Sequence, residues 1–259
     1  MPVKLEATES RDVDATLERL PELEAFVQRL LARVRPFLDL APGATVLDVG
    51  AAQGATVVAY RKAGFDAFGV EPWAPALEVG RALAGRTGID FETRPGVGEA
   101  LPVEDSSVDF VHAYSVMEHV DDPLRVFREV YRVLRPGGGF FFFTTSAVCP
   151  WQAEIKRFPC FPWYPPKAQR AIMHWAARER PWLVGYTTRP AIHWFKHRQL
   201  RMILPAIGFR TIIDRWNLRA RSGELSGGRQ LVVTTCARNR AVRFAADVLL
   251  NGLEYLAIK

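Results

Sequence analysis

The sequence predicts an α/β fold, a doubly wound sheet with helices on both faces, on three observations. The run Thr45-Val46-Leu47-Asp48-Val49-Gly50-Ala51-Ala52-Gln53-Gly54 is a short β-branched strand that ends near an acid. It passes through small residues into a helix-like segment, residues 55–63. A second short strand, Asp66-Ala67-Phe68-Gly69-Val70, ends in Glu71, 21 residues after Gly50. Finally, 259 residues, 49% of them hydrophobic, suffice for one such domain with an insertion.

The first turn carries the chemistry. Small residues let backbone approach a ligand where a Cβ would collide, and the following helix turns free N–H groups to the same place. An acid about 20 residues past the glycines suits the two hydroxyls of a ribose. A dinucleotide fingerprint, G-x-G-x-x-G, does not fit. Ala52 holds its second position, and Gly54 comes four residues after Gly50 rather than five. The loop instead resembles the acidic-x-G-x-G-x-G loop of class I S-adenosylmethionine (SAM) methyltransferases, with Ala52 for the middle glycine. A Rossmann-like turn for another ligand is the other reading of the loop alone.

Taken in order, residues 1–15 are polar and read as a frayed end. Between Leu17 and Leu40, apolar residues at helical spacing predict a helix beside the sheet, ended or bent by Pro36. After Glu71, Pro72-Trp73 opens a helix through about Leu83, and a third strand covers residues 89–93. Then follow three further motifs. Glu99-Ala100-Leu101-Pro102-Val103-Glu104-Asp105-Ser106-Ser107-Val108-Asp109-Phe110-Val111 is similar to the E-x-L-P-F-x-D-x-S-F-D-x-V segment of UbiE/type-11 methyltransferases. Tyr114-Ser115-Val116-Met117-Glu118-His119-Val120-Asp121-Asp122-Pro123 is similar to that family's x-x-E-H-V-x-D-P stretch after strand four. A helix over residues 123–135 ends in Arg132-Val133-Leu134-Arg135-Pro136-Gly137-Gly138-Gly139, which resembles the R-x-L-x-P-G-G turn into strand five, residues 140–145.

The resemblance implies a Rossmann-like doubly wound seven-stranded sheet, six strands parallel and one antiparallel, with SAM as cofactor. It places Asp48, Gly50 and Gly54 around the methionine part, with Ala51 and Gln53 lining the loop. Glu71 would hold the ribose, Pro72 and Trp73 would lie against the adenine, and Ser115 would sit under the amino group. Where the family often has an adenine-reading Asp, this chain has Val97, then Gly98, so backbone groups would read the base there.

The second half departs from the plain fold. Its usual ending, a helix, strand six and antiparallel strand seven, is read at residues 197–207, 208–216 and 230–237. That divides the chain into an N-terminal helical segment (1–40), a SAM-binding core (41–146) and an insertion after strand five (147–196). Residues 197–238 then complete the sheet, and an amphipathic helix (239–259) follows. The insertion holds five of the seven tryptophans, Trp151, Trp163, Trp175, Trp182 and Trp194. Long insertions at the carboxyl edge of such a sheet serve as lids, so this one is read as a cap over the methyl acceptor, with one or two tryptophans facing it and the others forming a small satellite core. Tryptophan- and arginine-rich walls suit sugars, and Arg157, Lys167, Arg170, Arg189 and Lys196 suit a carboxylate or phosphate. The runs 158–165 and 192–195 look similar to methyltransferases that accompany glycan-building enzymes.

A hydroxyl acceptor needs a base, and histidine is the default. His112 lies mid-strand and reads as buried structure. His119 is the first candidate, because it follows strand four at the mouth of the site. His174, His193 and His197 lie in or beside the cap, and His193 or His197, brought in as the cap closes, is the alternative base. No group has recognisable metal spacing, so no metal is expected.

Charge is divided unevenly: residues 1–146 hold 15 Lys and Arg against 22 Asp and Glu, and residues 147–259 hold 19 against 6. The basic half is either a solvated face or attracted to an acidic substrate, nucleic acid or membrane. No N-P-P-Y-like motif follows strand four, and nucleic acid is not expected. The tail stripe Val242, Ala245, Ala246, Leu249, Leu253, Leu256, with Arg238, Arg240 and Arg243, would dock on the chain itself, on a second subunit, or on an anionic membrane. Three cysteines without metal spacing and no apolar leader or span predict a cytoplasmic, at most membrane-peripheral, protein. Three functions stand: O-methylation of a glycan, glycolipid or similar hydroxylated metabolite; O- or C-methylation of an aromatic or isoprenoid molecule; or a SAM-binding scaffold without turnover.

Overall fold

The computed structural model describes residues 13–185 and 189–259. Residues 1–12, most of the segment read as frayed, lie outside them. The first helix, α1 (Val13–Val34), begins earlier than its apolar pattern, with Asp14 in its first turn at the positive end of the helix dipole. It stops ahead of Pro36 and carries Pro21 within it.

The core alternates as expected: β1 (Thr45–Val49), α2 (Ala55–Lys62), β2 (Asp66–Glu71), α3 (Ala74–Thr87), β3 (Thr93–Pro95), β4 (Val108–Tyr114), α4 (Pro123–Val133) and β5 (Leu134–Thr145). The third strand lies later than residues 89–93, because its pairing partners are Gly69, Val70 and Glu71 at the far end of β2. With β6 at Thr211–Asp214 and β7 at Gly252–Ile258, the strand order is β3-β2-β1-β4-β5-β7-β6, and of these seven strands β7 runs antiparallel. Parallel strands covered on both faces need apolar side chains on both, which the Phe140–Phe143 run provides. Phe140 and Phe142 pack with α4, whereas Phe141 joins Val27, Leu30 and Tyr60 on the opposite face.

The C-terminal quarter corrects the sequence reading. Strand seven is not at residues 230–237; those residues lie in a helix, α8 (Gly227–Arg238). The residues read as the end of a tail helix form β7 (Gly252–Ile258), between β5 and β6 (Thr211–Asp214). Leu231-Val232-Val233-Thr234-Thr235 has strand propensity, but its buried positions are Val233 and Cys236, one helical turn apart, packed against Trp216. Gly252–Ile258 contains good helix formers, yet it pairs with β5 through seven consecutive residues and is buried along nearly its whole length. Pairing and burial override propensity at both places. Only α9 (Arg240–Val248) survives of the tail helix; Leu253 and Leu256 of its supposed stripe are sheet core.

Buried Glu254 on β7 meets three cations: Arg215 and Arg219 of α7 (Arg215–Arg221), each at 3.3 Å, and Arg33 of α1 at 3.3 Å. Burial opposes its ionisation, but the three arginines prevail and hold its carboxyl below the usual range.

The insertion folds as α5 (Pro166–Glu179) flanked by two 3₁₀ turns, and the chain then enters α6 (His197–Ile207) where expected. Its satellite core is Ile155, Phe161, Met173, Ala176, Leu183, Val184 and Ala191. Of its tryptophans only Trp194 joins that cluster, edge-on to Phe161; Trp151, Trp163, Trp175 and Trp182 are exposed.

Candidate cofactor and acceptor site

At the carboxyl ends of β1, β2 and β4 lies a cavity of about 220 Å³. One wall is backbone. Gly50 and Ala51 donate their N–H groups to Val70 O (2.8 and 3.2 Å), which folds the β1 turn over the end of β2. Gly50 has φ +73°, and a Cβ there would stand 2.6 Å from Val116 Cγ2. Two cavity residues that are not glycine, Ala52 (φ 47°) and Ser115 (φ 55°), are also left-handed. Such conformations are uncommon outside glycine and gather at functional sites.

Glu71, 8% exposed, accepts from Ala52 N at Oε2 (3.0 Å) and from Trp73 N at Oε1 (2.9 Å). Burial raises its pKa, opposed by these two N–H groups. Each carboxylate oxygen keeps acceptor capacity beside the cavity, as two vicinal hydroxyls would require. With the close backbone of Gly50, Gly96 and Gly98 around it, the wall fits a nucleoside-bearing cofactor.

The other wall belongs to β4, the following turn and the cap. Tyr114 stacks on Phe143, 4.6 Å between centroids. His119 Nδ1 lies 2.7 Å from Arg189 O, so Nδ1 carries the hydrogen and Nε2 is the acceptor nitrogen, 3.9 Å from Glu154 Oε2. Burial lowers the imidazole pKa despite Glu154, which leaves the ring neutral at pH 7. Glu118, 1% exposed, accepts from Thr144 Oγ1 at 2.8 Å. Burial, then repulsion from Glu154, pushes its carboxyl up to about 8. Its backbone oxygen accepts from Ile192 N (2.8 Å) and His193 N (3.3 Å), so core and cap meet at the Glu118–His119 step.

Of the residues expected around the cofactor, the cavity gathers Gly50, Glu71, Pro72, Val97, Gly98 and Ser115. Five others are not among its lining residues. Asp48 is buried and hydrogen-bonded to His112 Nδ1 at 2.9 Å. Ala51 is buried against Gly69, Gln53 is buried beside Gly80, and Gly54 caps α2 next to Phe91. Trp73 gives Glu71 its backbone N–H, but its ring is not part of the lining. In place of Ala51, the lining residue of the loop is Ala52.

Among the histidines only His119 lines the cavity. His193 Nε2 is turned to Val120 O at 2.9 Å, and His197 lies between Tyr255 and Asp247. His174 is exposed on α5. None of the five insertion tryptophans lines the cavity. Sequence reasoning missed Glu99, Glu154 and Asn251 as lining residues. Glu99 stood inside a recognised motif and was legible; Glu154 and Asn251 arrive through tertiary contacts alone.

Comparison with known proteins agrees with this geometry. Residues 47–142 match the model of a methyltransferase domain. An uncharacterized methyltransferase of Mycobacterium sp. (strain KMS) is 40% identical over 96 residues, 37% of this chain and 36% of the relative. One from Mycobacteroides abscessus is 41% identical over 99 residues, 37% of this chain and 38% of the relative. The matched stretch thus spans little more than a third of these curated relatives. The fold as a whole is similar to an S-adenosylmethionine dependent methyltransferase from Mesorhizobium loti (TM-score 0.58, 17% identity, 89% of this chain and 98% of that one). It is likewise similar to the YcgJ protein of Bacillus subtilis (TM-score 0.55, 18% identity, 90% of this chain and 98% of that one). Loop, topology and domain match converge on the same stretch: residues 47–142 match a methyltransferase domain, within a fold similar to that of S-adenosylmethionine-dependent methyltransferases.

Proposed function

We propose that the whole chain is an enzyme that transfers a methyl group from SAM to a hydroxyl of a small hydroxylated metabolite taken in beneath the cap. The observation that carries this reading is His119, a neutral imidazole in the same cavity as Gly50, Ala52 and Glu71. When bound, SAM supplies a methyl group on a cationic sulfur, so the leaving group needs no acid. Gly50, Ala52, Glu71, Pro72, Val97, Gly98 and Ser115 would hold it. The chain's remaining work is to exclude water, orient the hydroxyl and take its proton at His119 Nε2, since a neutral hydroxyl is a poor nucleophile. A glycan or glycolipid is one form of this acceptor, and an aromatic or isoprenoid alcohol is another. The stacked Tyr114 and Phe143 offer either one an apolar face.

A second reading has its own support. Glu99 and Glu154 line the cavity with Arg189 as the one arginine among its lining residues. That balance favours an amine acceptor held as a cation before it loses its proton. Radiolabelled methyl transfer from SAM across hydroxyl and amine acceptors separates the readings. With a hydroxyl acceptor, His119→Gln loses ~10²–10⁴-fold in turnover at nearly unchanged SAM affinity. Turnover on a hydroxyl acceptor within a few-fold of wild type in that variant removes the base assigned here, and no transfer to any acceptor favours a SAM-binding scaffold.

A further inference from the structure

The cap carries an outer surface that the cavity does not use. Trp151, Trp163, Trp175 and Trp182 are 66%, 60%, 42% and 51% exposed. The cap builds its core without them, although a large aromatic ring is the best core filler a short segment has. Single exposed apolar residues are ordinary; four indoles on one insertion mark a contact surface.

Cations accompany the rings. On α5 the exposed residues Lys167, Ala171, His174, Trp175 and Arg178 recur at helical spacing and form one stripe. The Arg157 guanidinium lies 4.7 Å over the Trp182 ring. Between residues 147 and 185 six lysines and arginines face two glutamates. Of those two, Glu154 lines the cavity and Glu179 is paired with Arg178, so the outer face is positive.

The same rim continues into the last connection of the chain. Gly252 pairs with Thr145, and Ser146 N donates to Asn251 O at 3.1 Å, which brings the α9–β7 loop beside the root of the cap. Leu249 of that loop is 77% exposed, and Phe244 and Val242 of α9 are exposed as well.

We propose that this rim docks on an anionic lipid bilayer. Indole rings with an apolar body and a polar edge partition to the headgroup layer, and clustered Lys and Arg meet acidic lipid phosphates there. A second copy of the chain would bring the positive face against itself, and a nucleic acid has no use for the aliphatic Leu249. Docking stands independently of the methyl-transfer reading. If both hold, Ala153, Glu154 and Gly185 connect the docked cap to the cavity, and the acceptor is an amphipathic molecule drawn from the bilayer.

The test is sedimentation of the full chain with vesicles of phosphatidylcholine and phosphatidylglycerol in a three-to-one ratio, against pure phosphatidylcholine. Trp fluorescence with brominated acyl chains is read in parallel. The expected result is binding to the anionic vesicles that weakens with salt, and quenching of the indoles by bromine. The variant Trp151→Ala, Trp175→Ala, Trp182→Ala and the variant Lys167→Glu, Arg178→Glu should each bind about tenfold more weakly at unchanged melting temperature and SAM affinity. Three results overturn the proposal: no preference for anionic vesicles, vesicle binding that both folded variants retain, or sensitivity to the substitutions only in self-association or oligonucleotide binding. Loss of methyl transfer with docking intact would speak against the catalytic reading alone.

Discussion

The two walls of the cavity are built differently. The wall proposed to hold the cofactor is made of turns in one stretch: left-handed Gly50 and Ala52 after β1, Glu71 at the end of β2, and Gly96 and Gly98 after β3. The wall proposed to face the acceptor is assembled from afar: His119 and Glu118 after β4, Glu154 and Arg189 from the insertion, and Asn251 from the loop before the last strand. Backbone shape makes the first wall, and a sequence displays backbone shape as spacing. Side chains make the second, on elements joined only by folding.

The largest effect is expected where the last strand underpins the acceptor wall. Glu254 stands opposite Phe143 in the β5–β7 register, and Phe143 carries Tyr114. Glu254→Ala leaves Arg215, Arg219 and Arg33 around an uncompensated site, with an expected loss of ~3–5 kcal/mol in chemical denaturation. Because its carboxyl is held below the usual range, this stabilisation is present at neutral pH and disappears as pH falls through its folded pKa. Equal stability of wild type and variant at pH 7 would detach β7 from the support of this wall.

That strand also marks where sequence reasoning failed. Residues 45–145 were legible, β3 apart, because their elements announce themselves locally: alternation, an acid after a strand, glycines at turns. The start of α6 was legible as the return to a known plan. Residues 230–237 and 252–258 were exchanged in type, because Leu231 to Thr235 looks like a strand and Leu253, Glu254, Leu256 and Ala257 look like a helix. Their states depend on Trp216 for the first and on β5, β6 and three arginines for the second. The tryptophans misled for a related reason: composition gives a ring's presence, not its direction. Within the site, the partner that Asp48 holds, His112 on the neighbouring strand, is one no local pattern reveals.

A smaller effect tests the joint between the walls. Glu118 is raised to about 8 by burial and by Glu154, so its proton is held more tightly in the folded chain. A raised pKa contributes stability that is fully present below the unfolded value and lost as pH rises through the folded one. Wild type should therefore lose stability between about pH 5 and 9, at ~1.4 kcal/mol for each unit of the shift. Glu118→Gln should lose that component and show a shallower profile than wild type over the window, as followed by melting temperature against pH. Parallel profiles for the two proteins would mean that Glu118 is already ionised at neutral pH.

The division into a cofactor wall and an acceptor wall is tested most directly by calorimetric titration of SAM into wild type, Glu71→Ala and Glu154→Gln. Wild type should bind SAM, and Glu71→Ala should bind it more weakly by ~1.5–3 kcal/mol, the range for hydrogen bonds involving a charged group. Glu154→Gln should match wild type in SAM affinity and differ only in turnover. Equal affinity in wild type and Glu71→Ala, or a loss at Glu154 as large as the loss at Glu71, would contradict it.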